Sequence, residues 1–154
     1  MRRIVAGAML WVCAAAGVGA TETEVLYDGG GTNDWTTSRD AERLAKELSA
    51  SELAPASEPA ALLWRFVPKA TAFNDIFLSR PISRRFDTVR LRLKNEGAGF
   101  TLACKVRDAS DAEWTAKRIP LRAGADWQWV EFPASDWSAA PWARDPDGKL
   151  NFPL

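Results

Sequence analysis

From Val89 to Phe132 apolar and polar residues alternate with a period of two, and no other feature of the chain constrains its fold as tightly. Val89, Leu91 and Leu93 alternate with Arg90, Arg92 and Lys94, and Phe100, Leu102, Cys104 and Val106 alternate with Thr101, Ala103, Lys105 and Arg107. Successive side chains of a strand point to opposite faces, so this period marks strands with one buried face. Asn95-Glu96-Gly97-Ala98-Gly99 joins the two runs and Asp108-Ala109-Ser110-Asp111 follows the second, both rich in residues that turn readily. Antiparallel neighbours are the natural outcome. Trp114–Ile119 and Trp127–Phe132 supply a third and fourth strand, the last stopped by Pro133. With no helical segment among the four, the sequence predicts an all-β fold.

The chain begins with a segment of another kind. Met1-Arg2-Arg3 is basic, Ile4 to Ala16 is an apolar run, and Val18-Gly19-Ala20 places short residues where a signal peptidase reads. Residues 1–20 read as a secretory signal outside the fold, which puts the chain in an extracellular or periplasmic setting. A membrane anchor needs about 20 apolar residues, and this run is shorter and meets Thr21-Glu22-Thr23-Glu24. Cys13 follows Leu10-Trp11-Val12 without the small residue that precedes a lipidated cysteine.

Removing 20 of the 154 residues leaves 134, residues 21–154, the length of one domain. A chain of that size buries roughly two thirds of its unfolded surface, enough for a core without covalent staples. Losing Arg2 and Arg3 leaves 18 basic residues against 20 acidic, a net charge of −2. Such a balance suits neither a nucleic acid nor an anionic membrane as partner. The sequence has no histidine, and beyond the leader its only cysteine is Cys104, so histidine or thiolate zinc sites and His-dependent triads are excluded within it. Cys104 sits on the apolar phase of its strand and reads as a buried, inert thiol.

Val25–Asp28 reads as a short strand entering the glycine turn Gly29-Gly30-Gly31, which lacks the Lys-Ser/Thr of a phosphate loop. Asp28, Asn33 and Asp34 bring oxygen donors close together, a set calcium would accept as a structural ion; they lack the regular spacing of a dedicated calcium loop, and the same residues are ordinary turn formers. No cofactor is required by anything else in the chain. Ser38–Leu53 carries both helical composition and a short run that fits a strand, and in an all-β context the strand is preferred. Ala61–Val67 reads as a well-covered central strand with Trp64 in the core, and Phe73–Ser79 as another strand. Ser135–Lys149 reads as loop. Leu150–Leu154 looks like the approach to a strand, and the expected closing strand beside Val25–Asp28 is not seen; an open sheet edge is a liability, so the chain reads as part of a longer protein.

Phe86-Asp87-Thr88-Val89-Arg90-Leu91-Arg92-Leu93, then Phe100-Thr101-Leu102 through Val106-Arg107-Asp108, then Trp127-Gln128-Trp129-Val130-Glu131-Phe132-Pro133 with Trp137 after it, are together similar to the galactose-binding-like jelly-roll modules of secreted glycoside hydrolases. The resemblance covers most of the chain from Val25 onward. It implies a jelly-roll β-sandwich of two antiparallel sheets, lacking its last strand or strands, and a polysaccharide or oligosaccharide as partner. It also implies a downstream catalytic domain in the same chain.

Sugars present apolar C–H faces rimmed by hydroxyls, so an aromatic plate with hydrogen-bonding side chains is the expected receptor. The resemblance implies that Val130 and Phe132 lie in the core, so Trp129 is expected to face outward, with Arg90, Arg92, Lys105 and Arg107 on the same outward side and Arg65 a further candidate. Guanidinium groups there would also grip a sugar carboxylate. The plainer reading is a solvated face whose tryptophan is covered by a loop or a neighbouring domain. Trp35, Trp114, Trp137 and Trp142 lie in or beside expected turns, where binding sites are often built, and Trp127 caps a strand end. Asp108, Asp111, Glu113, Asp136, Asp145 and Asp147 are candidate acids for glycoside cleavage, though most sit in turns that favour Asp for local hydrogen bonding. No catalytic residue is assigned. The sequence therefore suggests an ancillary module that binds polysaccharide or packs on a catalytic domain; the alternative is a stand-alone extracellular module that binds protein or mediates adhesion.

Overall fold

The computed structural model describes residues 2–6, 10–14, 22–27, 35–37, 46–51, 61–66, 76–124, 126–144 and 147–154. These form fourteen strands and one 3-10 turn, Ala134–Asp136. The strands are β1 (Arg2–Ala6), β2 (Leu10–Ala14), β3 (Glu22–Tyr27), β4 (Trp35–Thr37), β5 (Lys46–Ser51), β6 (Ala61–Phe66), β7 (Ile76–Leu78), β8 (Thr88–Asn95), β9 (Phe100–Leu102), β10 (Lys105–Arg107), β11 (Glu113–Ala116), β12 (Ile119–Leu121), β13 (Gln128–Pro133) and β14 (Trp137–Ala139). All of their pairings are antiparallel. The all-β class follows, as the alternation predicts. Among the described residues no helix is long and apolar enough to cross a membrane.

β8 is the hinge of the largest sheet, which has seven strands. On one side it pairs with β13, in a register that sets Val130 opposite Leu91, Phe132 opposite Val89 and Trp129 opposite Arg92. On the other side it pairs with β2 through Thr88–Arg90 and with β1 through Lys94 and Asn95. Beyond these, β2 carries β3, and β1 carries β6 and then β5. Within the segment that reads as a leader, Arg2–Ala6 and Leu10–Ala14 are extended and pair beside β8. The reason lies in the same composition that suggests a leader: an extended apolar run can satisfy the backbone N–H and C=O groups of an otherwise open strand.

The long alternating run divides. Phe100–Leu102 pairs with β12 and Lys105–Arg107 with β11, so the ladder changes partner at Ala103 and Cys104 while the period persists. Phe100, Leu102, Cys104 and Val106 pack on the core, and Thr101, Ala103, Lys105 and Arg107 are exposed. Trp114–Ile119, expected as one strand, breaks at Lys117-Arg118 into β11 and β12 for the same reason. Within Ser135–Lys149, expected to be loop, β14 joins β11 to complete a three-stranded sheet with β10.

One cluster holds the core. Val89, Leu93, Val130 and Phe132 from β8 and β13 meet Trp114, Ala116, Leu121 and Trp137 from the smaller sheets, with Ile82 and Phe86 beside them. Trp137 lies edge-on to both Phe86 and Phe132, and its Nε1 donates to the Phe132 carbonyl at 3.3 Å. A smaller cluster gathers Tyr27 and Leu62 with Trp35, Ile76 and Leu78. The segment Leu150–Leu154 packs on the main core through Leu150, Phe152 and Leu154. Ile82 and Leu154 exchange both backbone hydrogen bonds there, at 3.0 and 2.9 Å.

Asn95 closes the turn after β8 although it is fully buried. Its Nδ2 donates to the carbonyls of Ala98 and Arg122 at 3.1 and 3.2 Å, and its Oδ1 accepts from Gly97 N at 3.0 Å. The side chain thereby ties the loop after β8 to the loop before β13. Asn95→Ala is expected to cost about 2 kcal/mol, because three hydrogen bonds made by one buried side chain are lost at once; urea unfolding with an unchanged m-value would read it.

Candidate functional site

The outward face of β8 and β13 is where the sequence places a sugar-binding surface. Because β13 alternates, Val130 and Phe132 are buried while Trp129 and Glu131 are exposed. Register then sets each beside a basic residue of β8, Trp129 across from Arg92 and Glu131 across from Arg90. The Arg92 guanidinium lies 5.7 Å from the Trp129 ring centroid, a cation–π arrangement. Arg90 Nε reaches Glu131 Oε1 at 2.9 Å. Both partners are about half exposed, so this pair adds little to stability. Trp129 is 49% exposed, uncommon for a residue type that is highly buried on average.

Lys105 and Arg107 do not share that sheet. Their strand, β10, belongs to the three-stranded sheet with β11 and β14, so the single basic face expected from alternation is two faces. Alternation assigns a residue to a face of its own strand; it does not say which strands share a sheet. On β10, Lys105 Nζ lies 3.1 Å from Glu113 Oε1, and Arg107 lies 3.3 Å from Asp111 Oδ1. Lys105 Nζ also sits 5.4 Å from the ring centroid of Trp142, which is 63% exposed. Both exposed tryptophans of the described residues therefore carry a cation over the ring. Sequence reasoning grouped Trp142 only with the loop tryptophans; the dipeptide Pro141-Trp142 has no strand period that would point to Lys105.

The other described tryptophan side chains are buried or half-buried. Trp114 and Trp137, expected in or beside turns, are buried on β11 and at the start of β14. Trp64 is buried, as expected. Trp35 is half-buried and edge-on to Tyr27 at 5.2 Å, and Trp127 is half-buried. Asp28, Asn33, Asp34 and Asp145 lie outside the described residues, and of Arg65 only the backbone pairing is described. Among the described residues no group of three or more His, Cys, Asp or Glu converges.

Among the described residues Asp108 is the one buried acid, and its carboxylate is taken up by hydrogen bonds. Its Oδ1 accepts from Ser110 N, Ser110 Oγ and Ala112 N at 2.9, 2.7 and 3.0 Å. Its Oδ2 accepts from Trp114 Nε1 at 3.1 Å and Asn151 N at 3.3 Å. Burial alone would raise its pKa, but the bonds from Ser110, Ala112 and Asn151 outweigh burial and hold the carboxyl below the usual carboxylate range. An acid so held is a poor proton donor. Cys104 is likewise unsuited to catalysis: burial pushes its thiol up to about 12, against a smaller opposing effect of a backbone hydrogen bond from Lys105. Asp111 is bound to Arg107 and Asp147 to Lys149 N and Asn151 Nδ2, as turn-forming acids commonly are.

What remains is a pair of exposed aromatic plates, each edged by ion-paired side chains. Such surfaces carry donors and acceptors side by side, which suits hydroxyl-bearing ligands. Compared with protein-family models, curated proteins and solved structures, the chain matches none.

Proposed function

We propose that the chain is a non-catalytic module of a larger secreted carbohydrate-active protein, a jelly-roll sandwich that binds polysaccharide through the β8–β13 face. The observation that carries this reading is Trp129, half exposed on a regular strand and flanked by Arg92, Arg90 and Glu131. A plate fixed on a strand needs little ordering when a sugar ring stacks on it, so most of the contact free energy is retained. Arg90 already faces Glu131, so this face offers a hydroxyl both donors and acceptors rather than an unmatched positive charge. Neutral polysaccharide fits it better than a uronic acid polymer. The basic start, apolar run and short residues of 1–20 support export to where such polymers occur.

Affinity electrophoresis through gels containing soluble xyloglucan, galactomannan or mixed-linkage β-glucan, with polygalacturonate as the acidic probe, tests the reading. Trp129→Ala should weaken retention by about tenfold, the scale of losing a central aromatic anchor. Its unfolding free energy should stay within about 0.5 kcal/mol of the parent, since the residue is outward. Full retention by Trp129→Ala would remove this face from the proposal and favour a surface that packs on a catalytic domain or another protein.

A further inference from the structure

The β10–β11 sheet repeats the composition of the β8–β13 face with different residues. Trp142 is the most exposed large apolar side chain among the described residues, yet its backbone is anchored. Ala140, buried at 3% exposure, donates from its N–H to the Glu113 carbonyl at 2.8 Å, and Ala143 N donates back to the Ala140 carbonyl at 2.8 Å. Pro141 further fixes the chain before Trp142. The ring is therefore displayed on a tight turn bolted to β11. Turn positions ordinarily take Gly, Asn, Asp or Ser; a tryptophan there exposes a large apolar surface that folding alone does not call for.

The polar groups beside it are placed as well. Glu113 Oε1 is enclosed and makes no hydrogen bond of good geometry, but Lys105 Nζ stands 3.1 Å away and answers its charge. The glutamate thus holds the ammonium in position, 5.4 Å from the Trp142 ring centroid. On the same strand Arg107 is bound to Asp111. Asp111 itself has a positive φ of 65°, a conformation Asp tolerates better than most residues. An aromatic plate with a cation over its ring and a guanidinium–carboxylate pair beside it recur here from Trp129, with the Lys105 ammonium in the place of the Arg92 guanidinium.

We infer that Trp142, with Lys105, Arg107 and Asp111, is a second saccharide-binding platform of the chain, separate from the one at Trp129. This inference rests on the reading of the chain as a polysaccharide-binding module. It assigns to Trp142 stacking on a sugar ring, and to Lys105, Arg107 and Asp111 hydrogen bonds with neutral hydroxyls. Two platforms on one module raise retention on a polymer above what either gives alone.

The full chain and its Trp142→Ala, Trp142→Phe and Trp129→Ala variants would be run in the same polysaccharide gels. Trp142→Ala is expected to lose about fivefold or more in retention on the neutral polymers, and Trp142→Phe to keep most of it, because the aromatic plate survives. Loss in both alanine variants supports two platforms. Loss in Trp129→Ala with full retention in Trp142→Ala overturns the second platform and leaves the proposed function standing. Loss in Trp142→Ala alone keeps the Trp142 platform and removes Trp129. Equal loss in Trp142→Ala and Trp142→Phe overturns stacking as its mode. Absence of retention by the parent chain on every probe overturns both readings.

Discussion

Asp108→Ala is expected to lower the unfolding free energy by about 3 kcal/mol, because five donors converge on one buried carboxylate and the variant strands most of them. Two of those donors, Trp114 Nε1 and Ala112 N, form buried bonds, so water does not easily replace the acceptor. Asp108→Asn keeps the shape but turns an amide N–H₂ toward N–H donors, and should cost about 2 kcal/mol. The two variants also separate charge from shape through pH. The folded carboxyl titrates below its unfolded value. Its contribution is therefore fully present above the unfolded pKa of about 3.9 and is lost as pH falls through that value toward the folded one. Urea titrations between pH 6 and pH 2.5, roughly spanning that window, should show the parent's advantage over Asp108→Asn shrinking as acid is added. An advantage that stays constant across the window would mean that the ionised form has no special stability in the fold.

The same residue shows what was legible in the sequence. Asp108-Ala109-Ser110-Asp111 reads as a turn, and the turn is there, with Asp111 N donating to the Asp108 carbonyl at 2.9 Å. Its reach to Asn151 N is a contact across 43 positions, and local turn chemistry carries no trace of it. β8 and β13 were legible for a physical reason: each has one buried face and enough residues to show the period. β14 has three residues, too few to show any period, and it lies between turn-forming residues. The strand breaks at Ala103-Cys104 and Lys117-Arg118 were hidden because a change of partner leaves the side-chain period intact.

The candidate site was half legible on the same grounds. Alternation put Arg90 and Arg92 outward and the resemblance of Trp127–Pro133 put Trp129 outward, and strand register makes the two arginines direct neighbours of β13 residues. It also put Lys105 and Arg107 outward, but on their own strand, and sheet membership depends on long-range pairing that no period encodes. Turn tryptophans were harder still. Trp137 and Trp142 are five residues apart, both beside turn formers, yet one is buried and the other is mostly exposed. The difference arises from tertiary context: Trp137 opens β14 and donates to the Phe132 carbonyl, whereas Trp142 sits in the turn that leaves it.

Phe132→Ala is expected to cost about 4 kcal/mol, the largest loss of any single change considered, because an aromatic side chain that is 1% exposed leaves a cavity its neighbours cannot fill. Those neighbours are rigid: Trp137 packs edge-on at 6.4 Å between centroids and is itself held by its hydrogen bond to the Phe132 carbonyl. Phe132→Leu keeps most of the volume and should cost well under half as much, about 1.5 kcal/mol. The position matters for function because Phe132 stands one residue after Glu131 and three after Trp129 on the same strand. Alternation assigns the core to Val130 and Phe132 and the exposed face, where the ligand is proposed, to Trp129 and Glu131. Stability and retention should then move independently: Phe132→Leu lowers the urea midpoint while retention per folded molecule holds, and Trp129→Ala does the reverse. If Phe132→Leu instead cut retention in proportion to stability lost, the outward face would depend on how tightly β13 packs. Trp129 would then owe its position to the core beneath it as much as to its place in the strand.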